Sequence, residues 1–359
     1  MARPMSRRRL LRHIESLEPS IRDEFLRAVQ DIRNEANVGL IVELLEAGQV
    51  DAAATALGIN AARFAELTEQ VRNAYLAGGR YGARTMPVLR MDPTMIVAGG
   101  FTPATRQARL SARFDMRNPR AEAWLSEHSA KLVREIVADQ RNLIRLALTA
   151  GMEAGRNPRD TALDIVGRMA GGRRQGGLVG LTEAQGRWVV NARRALASGN
   201  PAEMASYFDR VRRDRRFDGI VRRAIEAGQP VSEADIAKIT GRYSDRLLAL
   251  RGEMIARTES ITAFASGRDE AVTQAVEAGG ARPENVRKVW RATMDSRTRD
   301  AHAELNGQEV GLNEPFKSPT GARLMHPGDS SMGAGPADVI GCRCIVEYRI
   351  DHIAEAAQG

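Results

Sequence analysis

The feature that most constrains this chain is a change of character at Gly279-Gly280. From about residue 6 to 280 apolar residues recur at helical spacing, and Ala, Leu, Arg and Glu are abundant. Beyond it, NVRKVWRAT (285–293) alternates apolar and polar residues as a half-buried strand does, and ARLMHP and CIVEYRI read as further short strands between Gly, Pro and Ser turns. The expected fold class is α+β: a long, mainly helical N-terminal body followed by a small compact α+β C-terminal domain.

Local chemistry marks the helix starts. Asn118-Pro119 and Asn157-Pro158 each offer a side-chain acceptor at the N-cap and a proline at the first helical position, where its missing N–H costs nothing. Thr182 with Gln185 and Ser232 with Asp235 have capping-box spacing. Glycine pairs at Gly78-Gly79, Gly171-Gly172, Gly176-Gly177 and Gly279-Gly280 are expected to end helices. Prolines and glycines between Pro87 and Pro119 predict an extended connector, and GGRRQGGLVG (171–180) is too glycine-rich for regular structure. The expected segments are 1–90, an N-terminal helical unit; 91–180, connector and second helical segment; 181–280, a helical region leading into the C-terminal unit; 281–350, the α+β core; and 351–359, a short tail.

A chain of 359 residues, 43% hydrophobic and 27% charged, has globular composition. No apolar run approaches the ~20 residues of a spanning helix, and the basic start lacks a following apolar segment, so neither a membrane span nor a standard secretory signal is expected. The only cysteines, Cys342 and Cys344, form no disulfide framework, which suits a reducing compartment. Net charge is +8, and only four of the 53 basic residues are lysines. Arginine suits phosphate contacts, but a GC-rich genome also produces such a composition, so nucleic acid is permitted rather than demonstrated. In YFDRVRRDRRFDGIVRRAIEAG (207–228), Arg212, Arg213, Arg215 and Arg216 are candidates for phosphate contact. The interleaved Asp209, Asp214 and Asp218 favour ion pairs on a solvated helix instead.

The densest chemistry lies in WRATMDSRTRDAHAELNG (290–307). With a strand ending near Thr293, Asp295 is placed to cap a short helix, and Asp295, Arg299 and His302 then fall along one face, closed by Asn306-Gly307. Such a trio either positions a general base beside an anion site or ties structural elements together. In the Cys-Arg-Cys triplet an extended backbone puts both thiols on one face, too far apart for a disulfide within the triplet. Cys342, Cys344, His302 and one of His326 or Asp329 have the ligand types of a zinc site, although zinc cysteines usually stand two to four apart. Small buried thiols are the other reading. GxxxxGK[ST], GxSxG and HExxH are all absent from the sequence.

In their order along the chain these residues resemble the phage head morphogenesis, or Mu F-like, minor head proteins. The resemblance rests on MIARTES (254–260), Trp290, DSRTRDAH (295–302), Leu305, Gly307, Phe316, Pro327-Gly328-Asp329 and Pro336-Ala337 leading into CRC (342–344). In that pattern asparagine often precedes the first cysteine, where this chain has Gly341. The resemblance implies a minor structural protein of a tailed-phage head. Its implied partners are the portal, capsid and scaffold proteins and packaged DNA, with no membrane and no small-molecule substrate. It implies a place in the virion at the portal vertex, and the host cytoplasm during assembly. Trp290, Asp295, Arg297, Arg299, His302, Gly307, Phe316, Pro327, Gly328, Asp329, Cys342 and Cys344 become a fold-defining motif without catalytic residues or an obligatory cofactor, zinc being the one candidate. Some members of the family carry toxin or nuclease domains after this unit; the short stretch after Cys344 leads us to expect none here. The competing expectations are a metal-dependent hydrolase or nuclease using His302 and the Cys342/Cys344 loop, and a basic DNA-binding accessory protein.

Overall fold

The computed structural model describes residues 6–85, 114–279 and 281–351. Most of the expected connector from Pro87 to Pro119, and all of the tail but Asp351, lie outside the described residues. The chain is α+β.

The helices begin with α1 (Arg7–Glu15), α2 (Glu18–Glu35), α3 (Val38–Glu46), α4 (Val50–Ala56) and α5 (Ala65–Thr85). Next come α6 (Pro119–Glu153) and α7 (Pro158–Val166), entered as their Asn-Pro pairs predict. Asn118 Oδ1 accepts from Arg120 N at 2.9 Å, and Asn157 Oδ1 from Arg159 N at 2.8 Å. Strands β1 (Arg168–Ala170) and β2 (Arg173–Gln175) precede α8 (Glu183–Ala197), which opens with the complete Thr182–Gln185 capping box. After α9 (Pro201–Ala205) and α10 (Asp218–Ala227) runs α11 (Glu233–Glu277), whose Ser232 Oγ accepts from Asp235 N at 3.2 Å.

Two glycine readings need correcting. GGRRQGGLVG is not irregular throughout, because Arg168–Ala170 pairs antiparallel with Arg173–Gln175. Gly171 and Gly172 both have positive φ, the requirement of a tight two-residue hairpin turn. Nor do Gly78-Gly79 end a helix, since α5 continues to Thr85. A Cβ on Gly78 would lie 2.0 Å from the Phe264 carbonyl oxygen, and one on Gly267 the same distance from that of Tyr75. These glycines let α5 and α11 cross backbone to backbone.

The C-terminal strands are β3 (Val286–Arg291), β4 (Glu309–Gly311), β5 (Phe316–Lys317), β6 (Arg323–Leu324) and β7 (Ile345–Ile350), with short helices α12 (Asp300–Glu304) and α13 (Pro336–Val339) between them. β3 is the centre of an antiparallel sheet ordered β4-β3-β7, with Trp290 opposite Val346 and Lys288 opposite both Val310 and Tyr348. β5 and β6 form a separate hairpin.

The chain divides into two compact units, each drawn from separated stretches. One comprises Met1–Pro19, Glu69–Glu127 and Ala256–Gly359. Its core joins Leu10 and Ile14 of α1, Tyr81 of α5, Phe264 and Val276 of α11, and Trp290 and Phe316. The other comprises Ser20–Thr68 and His128–Ile255. There the loop after β2 is buried, and polar side chains satisfy its backbone. Arg33 donates to Val179 O at 2.6 and 3.0 Å, Arg251 to Gly180 O at 3.0 Å, and Gln140 Oε1 accepts from Gly180 N at 2.6 Å.

Candidate functional site

Beyond β3 the chain makes a tight turn rather than entering a helix. Asp295 Oδ1 accepts from Arg297 N at 3.0 Å, Asp295 O from Thr298 N at 2.9 Å, and Thr298 Oγ1 from Asp295 N at 3.1 Å. Arg299 is then extended (φ −66°, ψ 146°), so α12 begins only at Asp300. Asp295, Arg299 and His302 therefore do not share a helix face. Asp295 pairs with Arg343 at 2.5 and 2.7 Å, while Arg299 donates to Ile340 O. Arg297 is exposed, 3.9 Å from Asp295.

His302 turns inward, 2% exposed, and meets Trp290 edge to face with ring centroids 5.7 Å apart. Its Nδ1 lies 3.6 Å from Cys342 Sγ and 3.5 Å from Cys344 Sγ, and both cysteines are free and buried. The triplet alternates as an extended backbone must: the cysteines face His302, and Arg343 points away to Asp295. Cys344 N–H donates to Cys342 Sγ at 3.4 Å. Within this coupled pair Cys344 is the sulfur favoured as thiolate. Hydrogen bonding from Cys342 outweighs the burial that opposes ionisation, with help from His302. The Cys342 thiol is correspondingly raised, by its hydrogen bond to Cys344 and by burial.

Around this centre the other motif residues fix the chain. Gly307 has positive φ and donates to Trp290 O at 2.8 Å, while Asn306 Oδ1 accepts from Ala292 N at 3.0 Å. Phe316 stands edge to face with Trp290 at 5.1 Å. Gly341 has φ +64° and donates to Thr258 Oγ1 at 3.0 Å, so the position requires the left-handed backbone that glycine and asparagine both tolerate. Gly328 packs so closely on Thr262 that a Cβ would lie 2.1 Å from its Oγ1.

The Pro327-Gly328-Asp329 turn also removes the expected fourth metal ligand. His326 Nδ1 lies 3.2 Å from Pro327 O, and Asp329 accepts from Met325 N at 2.7 Å and Ser331 N at 2.8 Å. Burial opposes the Asp329 carboxylate, but His326 and these N–H donors outweigh it and lower its pKa. Among the described residues, the group whose ligand atoms converge within 4.8 Å is His302, Cys342 and Cys344, without His326 or Asp329.

Sequence reasoning passed over two buried polar residues here. Lys288 is fully buried, donates to Met325 O at 3.1 Å, and has its pKa lowered by burial. Strand alternation already placed it on the face of Val286 and Trp290. Buried Asp338 accepts from Ser318 at 3.0 Å and from Thr320 at 3.0 and 3.1 Å. Also unforeseen was a cavity of about 970 Å³ in the other unit, lined in part by α7, β1, α8 and α11. Its charges are largely matched: Asp164 meets Arg156 and Arg193 at 2.8 Å and Arg168 at 2.7 Å, and Arg193 meets Glu233 at 2.7 Å.

The basic run is not one helix, because residues 210–214 are irregular before a short 3-10 turn (Arg215–Phe217) and α10. Arg213 pairs with Asp218 at 3.1 Å and Arg216 with Asp214 at 2.7 Å, and both aspartates are buried. Arg212 and Arg215 are exposed.

Comparison with known proteins covers this C-terminal geometry. Residues 216–347 match the model of the family described as Phage Mu protein F like protein. Over 106 residues the chain is 34% identical to "Minor head protein GP7" of Bacillus phage SPP1, covering 30% of this chain and 32% of that protein. Over 110 residues it is 36% identical to "NAD(+)--arginine ADP-ribosyltransferase EFV" of Enterococcus faecalis, covering 28% of this chain and 19% of that protein. The chain thus spans about a third of the first relative's length and a fifth of the second's. No solved structure matches. No helix among the described residues is long and apolar enough to cross a membrane.

Proposed function

We propose that this protein is a minor structural component of a tailed-phage head, acting with the portal vertex during procapsid assembly and residing in the virion. The observation that carries this reading is the family match over residues 216–347, together with 34% identity to a minor head protein. The portal, scaffold and capsid proteins are its partners, met in the host cytoplasm as heads assemble.

The motif's role is structural. His302, Cys342 and Cys344 are each 2% exposed, which leaves a substrate no approach, and Asp295 and Arg299 are engaged with Arg343 and Ile340. The similarity to the transferase covers 19% of that protein and does not bring its activity here. Contact with packaged DNA falls to exposed Arg212 and Arg215, since Arg213 and Arg216 are paired. Such contact has no sequence preference, and its log affinity falls linearly with log salt.

The test is co-expression of the tagged full chain with its proposed portal, scaffold and capsid partners, followed by gradient sedimentation. The chain is expected in the procapsid fraction when portal is present and at the top of the gradient when portal is omitted. A chain that stays at the top in both cases defeats the reading.

A further inference from the structure

Three atoms able to bind a metal, two thiol sulfurs and an imidazole nitrogen, meet in the apolar core of the C-terminal unit. A neutral imidazole accepts one strong hydrogen bond at Nδ1, yet two sulfurs face that nitrogen at 3.5 and 3.6 Å. The other ring nitrogen, Nε2, is buried without a partner. Zinc–sulfur bonds of ~2.3 Å and a zinc–nitrogen bond of ~2.0–2.1 Å subtend nitrogen–sulfur edges of about 3.6 Å at the tetrahedral angle. The observed separations already have that length, and all three atoms lie within 4.8 Å of one another.

From this geometry we propose that His302 Nδ1, Cys342 Sγ and Cys344 Sγ bind one Zn²⁺ as a structural centre, with a small ligand such as water in the fourth position.

Charge and hydrogen bonding agree with this assignment. Two thiolates cancel the charge of one divalent cation, so a neutral centre is what the core around Trp290, Leu305 and Phe316 receives. The Cys344 N–H directed at Cys342 Sγ is a donor that supports a bound thiolate. The single residue between the cysteines, which made the spacing look unfavourable, is accommodated because the extended triplet sends Arg343 outward to Asp295. Binding releases the thiol protons to solvent and involves no redox step.

The experiment is elemental analysis of the full chain, purified without chelator, given Zn²⁺ and desalted. About one zinc per chain is expected. Cys344→Ser and His302→Ala are each expected to reduce this at least about tenfold, and His326→Ala to leave it unchanged. Because the first two variants can also misfold, the unaltered chain is separately loaded with Co²⁺, which should give thiolate-to-cobalt charge transfer and the ligand-field bands of a four-coordinate ion. Absence of zinc together with absence of the charge-transfer band overturns the assignment, as does full zinc retention in folded Cys344→Ser. Metal content and head assembly are independent readouts, so failure here leaves the assembly role standing, and the reverse also holds.

Discussion

Arg33 and Arg251 in the helical unit reach for backbone, whereas His302, Cys342 and Cys344 in the C-terminal unit reach for one another. Arg33 and Arg251 donate to carbonyls of the 177–180 loop, supplying what an irregular buried segment lacks. His302, Cys342 and Cys344 converge instead, leaving acceptor capacity directed at one point. Side chains that satisfy backbone have completed a fold. Side chains that face one another without saturating their valences have room for a ligand.

The harshest challenge to this comparison is a Gly267→Val substitution, whose Cβ would meet the Tyr75 carbonyl oxygen at 2.0 Å. We expect a loss of about 3 kcal/mol or more by denaturant unfolding. Near-native stability would mean that the C-terminal unit does not depend on this crossing. Next is Arg33→Met, which strips the Gly177 and Val179 carbonyls of their donor in a buried site. Burial pulls the Arg33 pKa down to about 10 despite Asp245, a measure of how enclosed the cation is. Its removal should cost about 3 kcal/mol, with opening of the 176–181 loop visible as faster amide exchange there. Unchanged exchange would remove the contrast between the two units.

His302→Ala should lower stability by about 1–3 kcal/mol, through lost packing on Trp290 and two sulfurs left without their nitrogen. The size of that loss should shrink when chelator is present, because the unaltered protein then loses its metal as well; equal losses with and without chelator would argue for hydrogen bonding alone. The smallest effect belongs to Asp295→Asn. The Arg343 guanidinium and the Arg297 N–H hold the Asp295 carboxyl well below its ordinary range. A carboxyl depressed in the folded state contributes stability above the unfolded pKa of about 3.8, and the contribution disappears as pH falls below it. Melting temperature should therefore depend less on pH between about 4 and 2 in the variant than in the parent. Parallel curves would show that the pair contributes nothing measurable.

Legibility in the sequence followed range. Asn118, Asn157 and Thr182 marked helix starts because a cap is read within three or four residues. Alternation in 285–293 marked β3, although buried Lys288 on the face of Trp290 was passed over. Gly78 was misread because its reason lies in Phe264, on a helix far along the chain. Asp295 had the spacing of an N-cap, but extended Arg299 separates its turn from α12. Ligand type alone nominated His302 with the cysteines, whereas placing His326 required knowing that the Pro327-Gly328 turn folds it away. The cavity walls come from segments with no shared local signal.

Leu10 and Ile14 belong to the same core as Trp290 and Val346. On the ribosome α1 therefore emerges long before Trp290 and Val346, its distant partners in that core, exist. Contacts of such long sequence separation slow folding, since the intervening loop must close before they can form. A chain broken off before Cys342 would lack both sulfurs and β7, one of the central strand's two neighbours, and would leave the core that α1 joins incomplete and exposed to quality control.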